Sequence, residues 1–163
     1  MNCSFIILIV GLVIFISYNV FFVLATHSYP ISLSETYYTL KTIKKGWLFP
    51  LMLSVCALSL MPIWITISDE NYQCLTFIAC TASVFVAFSP NYHEDLEKQV
   101  HYISAYICCI TSILWQLLSG YWIIPLLCFI PCLCPILKKD KHYALYLEIA
   151  TIISIYITLL FIV

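Results

Sequence analysis

Apolar residues fill this chain in long runs separated by a few short polar stretches. A helix that crosses a bilayer needs about 20 mostly apolar residues. Six stretches approach that length: 5–24, 47–67, 74–89, 101–120, 121–137 and 143–163. The first carries no charge. The second has Trp47 and Trp64 near its ends, where indole rings serve as interfacial anchors, and Pro62 predicts a kink. The third has only 16 residues and must borrow flanking positions or thin the bilayer. The fifth contains Pro125, Pro131 and Pro135 and reads either as a kinked span or as a re-entrant segment packed in protein. No internal repeat or long linker divides the chain. The expectation is an all-α, polytopic membrane helix bundle of about six transmembrane helices, a single integral membrane domain over residues 1–163.

Composition agrees with this reading. The chain is 63% hydrophobic and 9% charged, against about 25% charged in a soluble domain. With no Arg and a net charge of −1, no basic surface suits nucleic acid. The expected surroundings are the lipid bilayer, with a membrane-protein partner or a second copy as possible company. Six spans would gather Lys41, Lys44, Lys45, Lys98, Lys138, Lys139 and Lys141, all seven lysines, on one side. The opposite side would hold Asp69 and Glu70 and no lysine. Lysine in short loops marks the cytoplasmic face, so both termini are expected on the non-cytoplasmic side of a plasma or inner membrane. Val23, Leu24 and Ala25 resemble a signal-peptide cleavage site, but the residues before the first span include no basic one, and an uncleaved segment is expected. Of the nine cysteines, Cys56, Cys80, Cys108, Cys109 and Cys128 lie inside apolar runs, where free thiols behave as small hydrophobes. Cys3 and Cys74 are candidates to pair, and Cys132 and Cys134 are candidates for acylation or simply fill a helix end.

The polar interest gathers at the lysine side. Ser32 and Glu35 fit a capping box, and Leu33, Tyr37, Leu40, Ile43 and Trp47 follow at helical spacing. This predicts an amphipathic interfacial helix running into the second span, either as an anchor or as a lid over the bundle. Further on, His93, Glu97 and His101 are spaced by four residues and would share a helix face. With His27 and His142 they make candidate zinc ligands, with Asp95 or Glu97 as general base for a zinc-bound water. His93 and His101 lie about 12 Å apart along a helix axis, so other helices would have to complete such a site. The plainer reading is a second capping box, Asn91 with Glu94, followed by acids that favour the helix N-terminus. In the fourth span, His101, Ala105, Cys108, Ser112, Gln116 and Ser119 form a polar stripe, and Thr151, Ser154 and Thr158 form another in the sixth. Glu148 adjoins the second stripe. Such stripes either let helices pack closely or, with Glu148, Ser112 and Gln116, line a substrate path.

The stretch Pro30-Ile31-Ser32-Leu33-Ser34-Glu35-Thr36-Tyr37-Tyr38 after a first span, with Val100-His101-Tyr102-Ile103-Ser104-Ala105 opening the fourth, resembles uncharacterised bacterial and phage multi-pass membrane proteins. It is more distantly similar to DRAM/FRAG-type six-helix families. That resemblance implies a six-helix bundle. A second comparison is with the membrane hydrolases that include alkaline ceramidases and progestin/adipoQ receptors, which hold zinc with several His near one membrane face. This chain departs from them in having six expected spans and no H-x-x-x-H.

Three function classes follow: a non-enzymatic accessory or interaction protein, a metal-dependent membrane hydrolase acting on a lipid, and a small transporter or channel. All three share one topology. Membrane-impermeant labels on single cysteines placed in residues 25–46 and 137–142 should react from the same side, and a label in 68–73 from the other. Reaction of the first two segments from opposite sides would break the six-span scheme.

Overall fold

A computed structural model describes residues 3–90 and 95–163. Among the described residues the chain is all-helical, with seven helices and no strand. They are α1 (Cys3–Thr26), α2 (Glu35–Thr42), α3 (Leu48–Ile67), α4 (Gln73–Phe88), α5 (Asp95–Leu118), α6 (Ile123–Leu137) and α7 (Tyr143–Ile162). Four of them, α1, α3, α5 and α7, are long and apolar enough to cross a membrane. The other two apolar helices, α4 and α6, have 16 and 15 residues, about 24 and 22 Å at 1.5 Å per residue. α4 packs along α3 and α5, α6 along α7, and α1 against α3.

Local sequence sets where each helix stops. α5 ends in a Schellman turn: the Tyr121 amide donates to the Gln116 carbonyl at 2.8 Å and the Gly120 amide to Leu117 at 3.2 Å. Gly120 has φ +84°, a conformation that glycine adopts without a Cβ penalty. The same pair of bonds closes α2 and α6, with Lys44 (φ 58°) and Lys139 (φ 52°) in the left-handed position. α1 ends through His27, at φ 50°, whose amide reaches the Val23 carbonyl at 2.9 Å.

These stops correct one expectation. The interfacial helix does not continue into the second span. The left-handed turn at Lys44 separates α2 from α3, and Gly46 lies where a Cβ would be 3.2 Å from the Tyr37 carbonyl. Leu33 and Leu40 are buried, while Ile43 and Trp47 turn outward. Trp64 is corrected too. Only 2% exposed, it packs edge-on against Trp115 with ring centroids 5.2 Å apart, so it belongs to the core and not to an interface. Three residues in from the end of α3, it meets Trp115 of α5 and does not face outward. Cys3 and Cys74 are separate, exposed thiols.

The core has two clusters. One, built on Trp64, Trp115, Tyr156 and Leu159, fills the end near the α3–α4 connection. The other, built on Phe15, Phe22, Leu40, Phe49 and Leu145, fills the end beneath α2. The expected stripes face inward: His101, Ser112, Gln116, Thr151, Ser154 and Thr158 are all buried. Gln116 joins α5 to α7, its amide nitrogen 3.3 Å from Ser154 Oγ and its carbonyl accepting from Thr158 Oγ1 at 3.0 Å. This is the hydrogen-bonded seam that holds helices together where water is scarce.

Gly11 leaves room for a side chain of α7, because a Cβ there would lie 2.6 Å from the Tyr156 hydroxyl. Gly11→Ala should therefore destabilise the bundle by about 1–3 kcal/mol, the usual range for overpacking. Tyr156→Phe removes the obstructing oxygen, and in the double variant it should restore most of the loss. Thermal unfolding in detergent across the four-member cycle reads the coupling. Simple additivity would show that the two residues do not meet.

Candidate functional site

The residues after α1 cannot form a helix at once. His27 closes α1, Pro30 has no amide to donate, and the chain crosses the end of the bundle before α2 starts. Its backbone groups must then find partners elsewhere. Residues 30–36 find them on three helices, and the result is a cap stitched across the lysine-bearing end.

Four stitches use backbone atoms of the cap. The Pro30 carbonyl accepts from His142 Nδ1 at 2.8 Å. The Ile31 carbonyl accepts from the Leu145 amide at 3.2 Å, satisfying one of the orphan N–H groups in the first turn of α7. The Leu33 amide donates to Glu148 Oε2 at 2.6 Å. The Leu33 carbonyl accepts from Thr36 Oγ1 at 2.5 Å, and Thr36 in turn is bonded by the Tyr18 hydroxyl of α1. A fifth stitch is between side chains. Ser34 Oγ lies 2.8 Å from His101 Nε2, while His101 Nδ1 lies 2.9 Å from the Ser89 carbonyl at the end of α4. A carbonyl only accepts, so Nδ1 carries the proton, and in the neutral ring Nε2 accepts a hydrogen bond donated by the Ser34 hydroxyl. At the start of α2, Ser32 Oγ accepts from the Glu35 amide at 3.2 Å, the serine half of the expected capping box.

The sequence-derived candidates separate under this geometry. His101, His142 and Glu148 come together as cap fasteners. His27 is exposed and shapes the end of α1. Asp95 is exposed and Glu97 half-buried in the first turn of α5, and neither is among the residues lining the space under the cap. His93 and the capping pair Asn91 and Glu94 lie outside the described residues. Among the described residues, no three His, Cys, Asp or Glu side chains are grouped as a metal site would need. A metal on His101 Nε2 would have to displace Ser34. Tyr18, Ser34, Thr36 and Ser89 were not singled out from sequence. Tyr18 had a signal, since it falls on the inward Phe15, Tyr18, Phe22 stripe of α1. Ser89 contributes only a carbonyl, which every residue has.

Beneath the cap is a cavity of about 270 Å³ lined by Ser34, Glu35, His101, Lys141 and Glu148 among others. Glu148, Ser34 and Ala105 also line a smaller space of about 80 Å³ deeper in the bundle. That space shares Ser83, Cys108 and Thr151 with a core cavity of about 50 Å³. In the core cavity the wall includes Trp64, Ser112 and Tyr156, and Trp64 Nε1 has no hydrogen-bond partner among the described residues. A space of about 310 Å³ opens at the other end beside Asp69 and Trp115, and the Trp64 and Trp115 rings stand between it and the core. Of the three residues expected to line a path, Glu148 and Ser112 each border one of these cavities, whereas Gln116 belongs to the seam between α5 and α7.

The Glu148 stitch is open to test. Glu148→Ala removes the acceptor of the Leu33 amide and leaves that donor unpaired, at a cost of about 1–3 kcal/mol. Amide exchange in residues 30–36 should accelerate by one to two orders of magnitude while α3 and α4 keep their protection. Glu148→Gln retains an acceptor oxygen and should do less. Unchanged exchange in Glu148→Ala would mean that the cap is held without this bond. Comparison of the chain with protein-family models, curated proteins and solved structures gave no match, so the meaning of this end of the bundle rests on its own geometry.

Proposed function

We propose that the chain crosses the membrane six times, with its lysine-bearing end cytoplasmic and both termini on the other side, and that it works as a non-enzymatic interaction protein through its capped end. One observation carries this reading: the cap is a non-helical segment of fixed shape whose outer side chains stay free. Tyr29 is 74% exposed and Ile31 49% exposed, while the backbone of residues 30–33 is fastened to His142, Leu145 and Glu148. A segment held in one shape loses little conformational entropy on docking. Two of the histidines a hydrolase would need, His101 and His142, are engaged with the cap in this structure. α4 and α6 count as crossings in this scheme, with their ends completed by the turn residues or by local thinning of the bilayer.

A second reading, a small transporter, is favoured by the succession of cavities from Glu148 to the Trp64 and Trp115 pair. An acid inside a span and an unpartnered indole N–H beside a core cavity suit a path for a small polar solute.

A photo-crosslinking residue in place of Tyr29 or Ile31 should trap one defined membrane protein, or a second copy, in native membranes. The same residue at Leu58, on the outer face of α3, should not. Loosening the cap with Glu148→Ala should abolish the product. Purified protein that carries stoichiometric zinc, lost in His101→Ala together with lipid hydrolysis, would replace this reading with the hydrolase. Solute flux in liposomes that falls in Glu148→Gln would replace it with the transporter.

A further inference from the structure

The largest of the spaces described for this molecule lies away from the cap. It is a groove of about 580 Å³ between α1 and α3, within the ~300–1,000 Å³ typical of ligand pockets. Ile14, Ser17 and Phe21 form one wall, and Leu51, Met52 and Val55 the other. The α1 wall covers about two helical turns, roughly 11 Å of depth, and the α3 wall reaches the same depth when Leu48 is counted with it. Except for the Ser17 hydroxyl and the upper rim, these side chains offer nothing to a polar ligand.

The rim is cationic. Lys45 lines the groove, its Nζ 5.2 Å from the centre of the Phe21 ring, a cation–π contact that keeps the ammonium over the opening. Trp47, 59% exposed, stands beside it. Lys41 and Lys44 belong to the same turn, and no acid occurs between Glu35 and Asp69 in the sequence. Lys44 holds a left-handed backbone position that glycine would occupy at lower cost. One ammonium, that of Lys45, therefore stands at the top of an apolar slot, while the Lys41 ammonium lies over the Tyr37 ring at 5.5 Å.

We propose that this groove binds one anionic glycerophospholipid, with an acyl chain between α1 and α3 and the headgroup phosphate at Lys45, supported by Lys41 and Lys44. Apolar walls under the Lys45 ammonium, with Lys41 and Lys44 close in sequence, match a negatively charged head on a hydrocarbon tail, and a zwitterionic lipid would fill the slot without using the charge. The inference rests on the membrane-embedded reading above, but not on the cap or its partner.

The test uses the full chain in nanodiscs with Trp122→Phe, which removes the exposed indole near the opposite end of the bundle and leaves Trp47 as the exposed one. Brominated chains are supplied on phosphatidylglycerol or on phosphatidylcholine. Quenching of Trp47 should favour phosphatidylglycerol over phosphatidylcholine. Lys45→Gln should reduce that preference about fivefold, the effect of one lysine near an anionic lipid. Lys138→Gln removes the same charge from the same end, at α6, and should leave it unchanged. Ser17→Phe fills the groove without altering charge and should lower quenching by both lipids. Equal quenching by the two lipids in the wild type, or an equal loss in Lys138→Gln, would overturn the lipid site. Absence of quenching by either lipid would instead strike at the membrane-embedded reading itself.

Discussion

The hydrogen bond from the Leu33 amide to Glu148 is the contact around which the lysine-bearing end is arranged. A chain that leaves one helix and crosses the end of a bundle exposes backbone donors and acceptors without helical partners. Where water is limited each such group costs several kcal/mol unless it is paired. Here α7 supplies a carboxylate, an imidazole and a first-turn amide to three consecutive stretches of cap backbone. The exchange works both ways, because α7 needs acceptors for its first amides and the cap needs donors for its carbonyls.

That arrangement changes what the ionisable residues mean. An acid within an apolar helix and histidines near its mouth are functional candidates by default. In this molecule the same groups serve as structural partners of peptide bonds, and the side chains left facing outward are Tyr29 and Ile31. The cavity under the cap keeps Glu148 at its wall, so the carboxylate both fastens the cap and borders the way inward.

Deeper in the bundle, small and hydroxylated residues decide how closely helices approach. Gly11 admits the Tyr156 ring, and the Ser154, Thr158 and Gln116 bonds seal α5 to α7. Bulk then closes the interior, with Trp64 and Trp115 edge to face between the core cavity and the opposite end. The charged rim at Lys45 lies outside this closed core, so the groove between α1 and α3 and the cap are separate features of one end of the molecule.

Much of the fold was legible before any coordinates. Runs of apolar residues gave the helices, because only a helix satisfies its own backbone away from water. The 3.6-residue spacing of His101, Ser112 and Gln116, and of Thr151, Ser154 and Thr158, gave their buried faces. The Ser32 cap was readable because its bond spans three residues. Bonds across long sequence separations were not: Leu33 with Glu148 joins positions 115 residues apart, and Ser34 with His101 joins positions 67 apart. Nor could the sequence place Trp64 in the core, since an indole near a helix end suits an interface equally well until a neighbouring helix brings Trp115 against it. Pattern along one helix is a local property of side-chain spacing. Which helix it meets, and at what height, is set by the packing of all of them together.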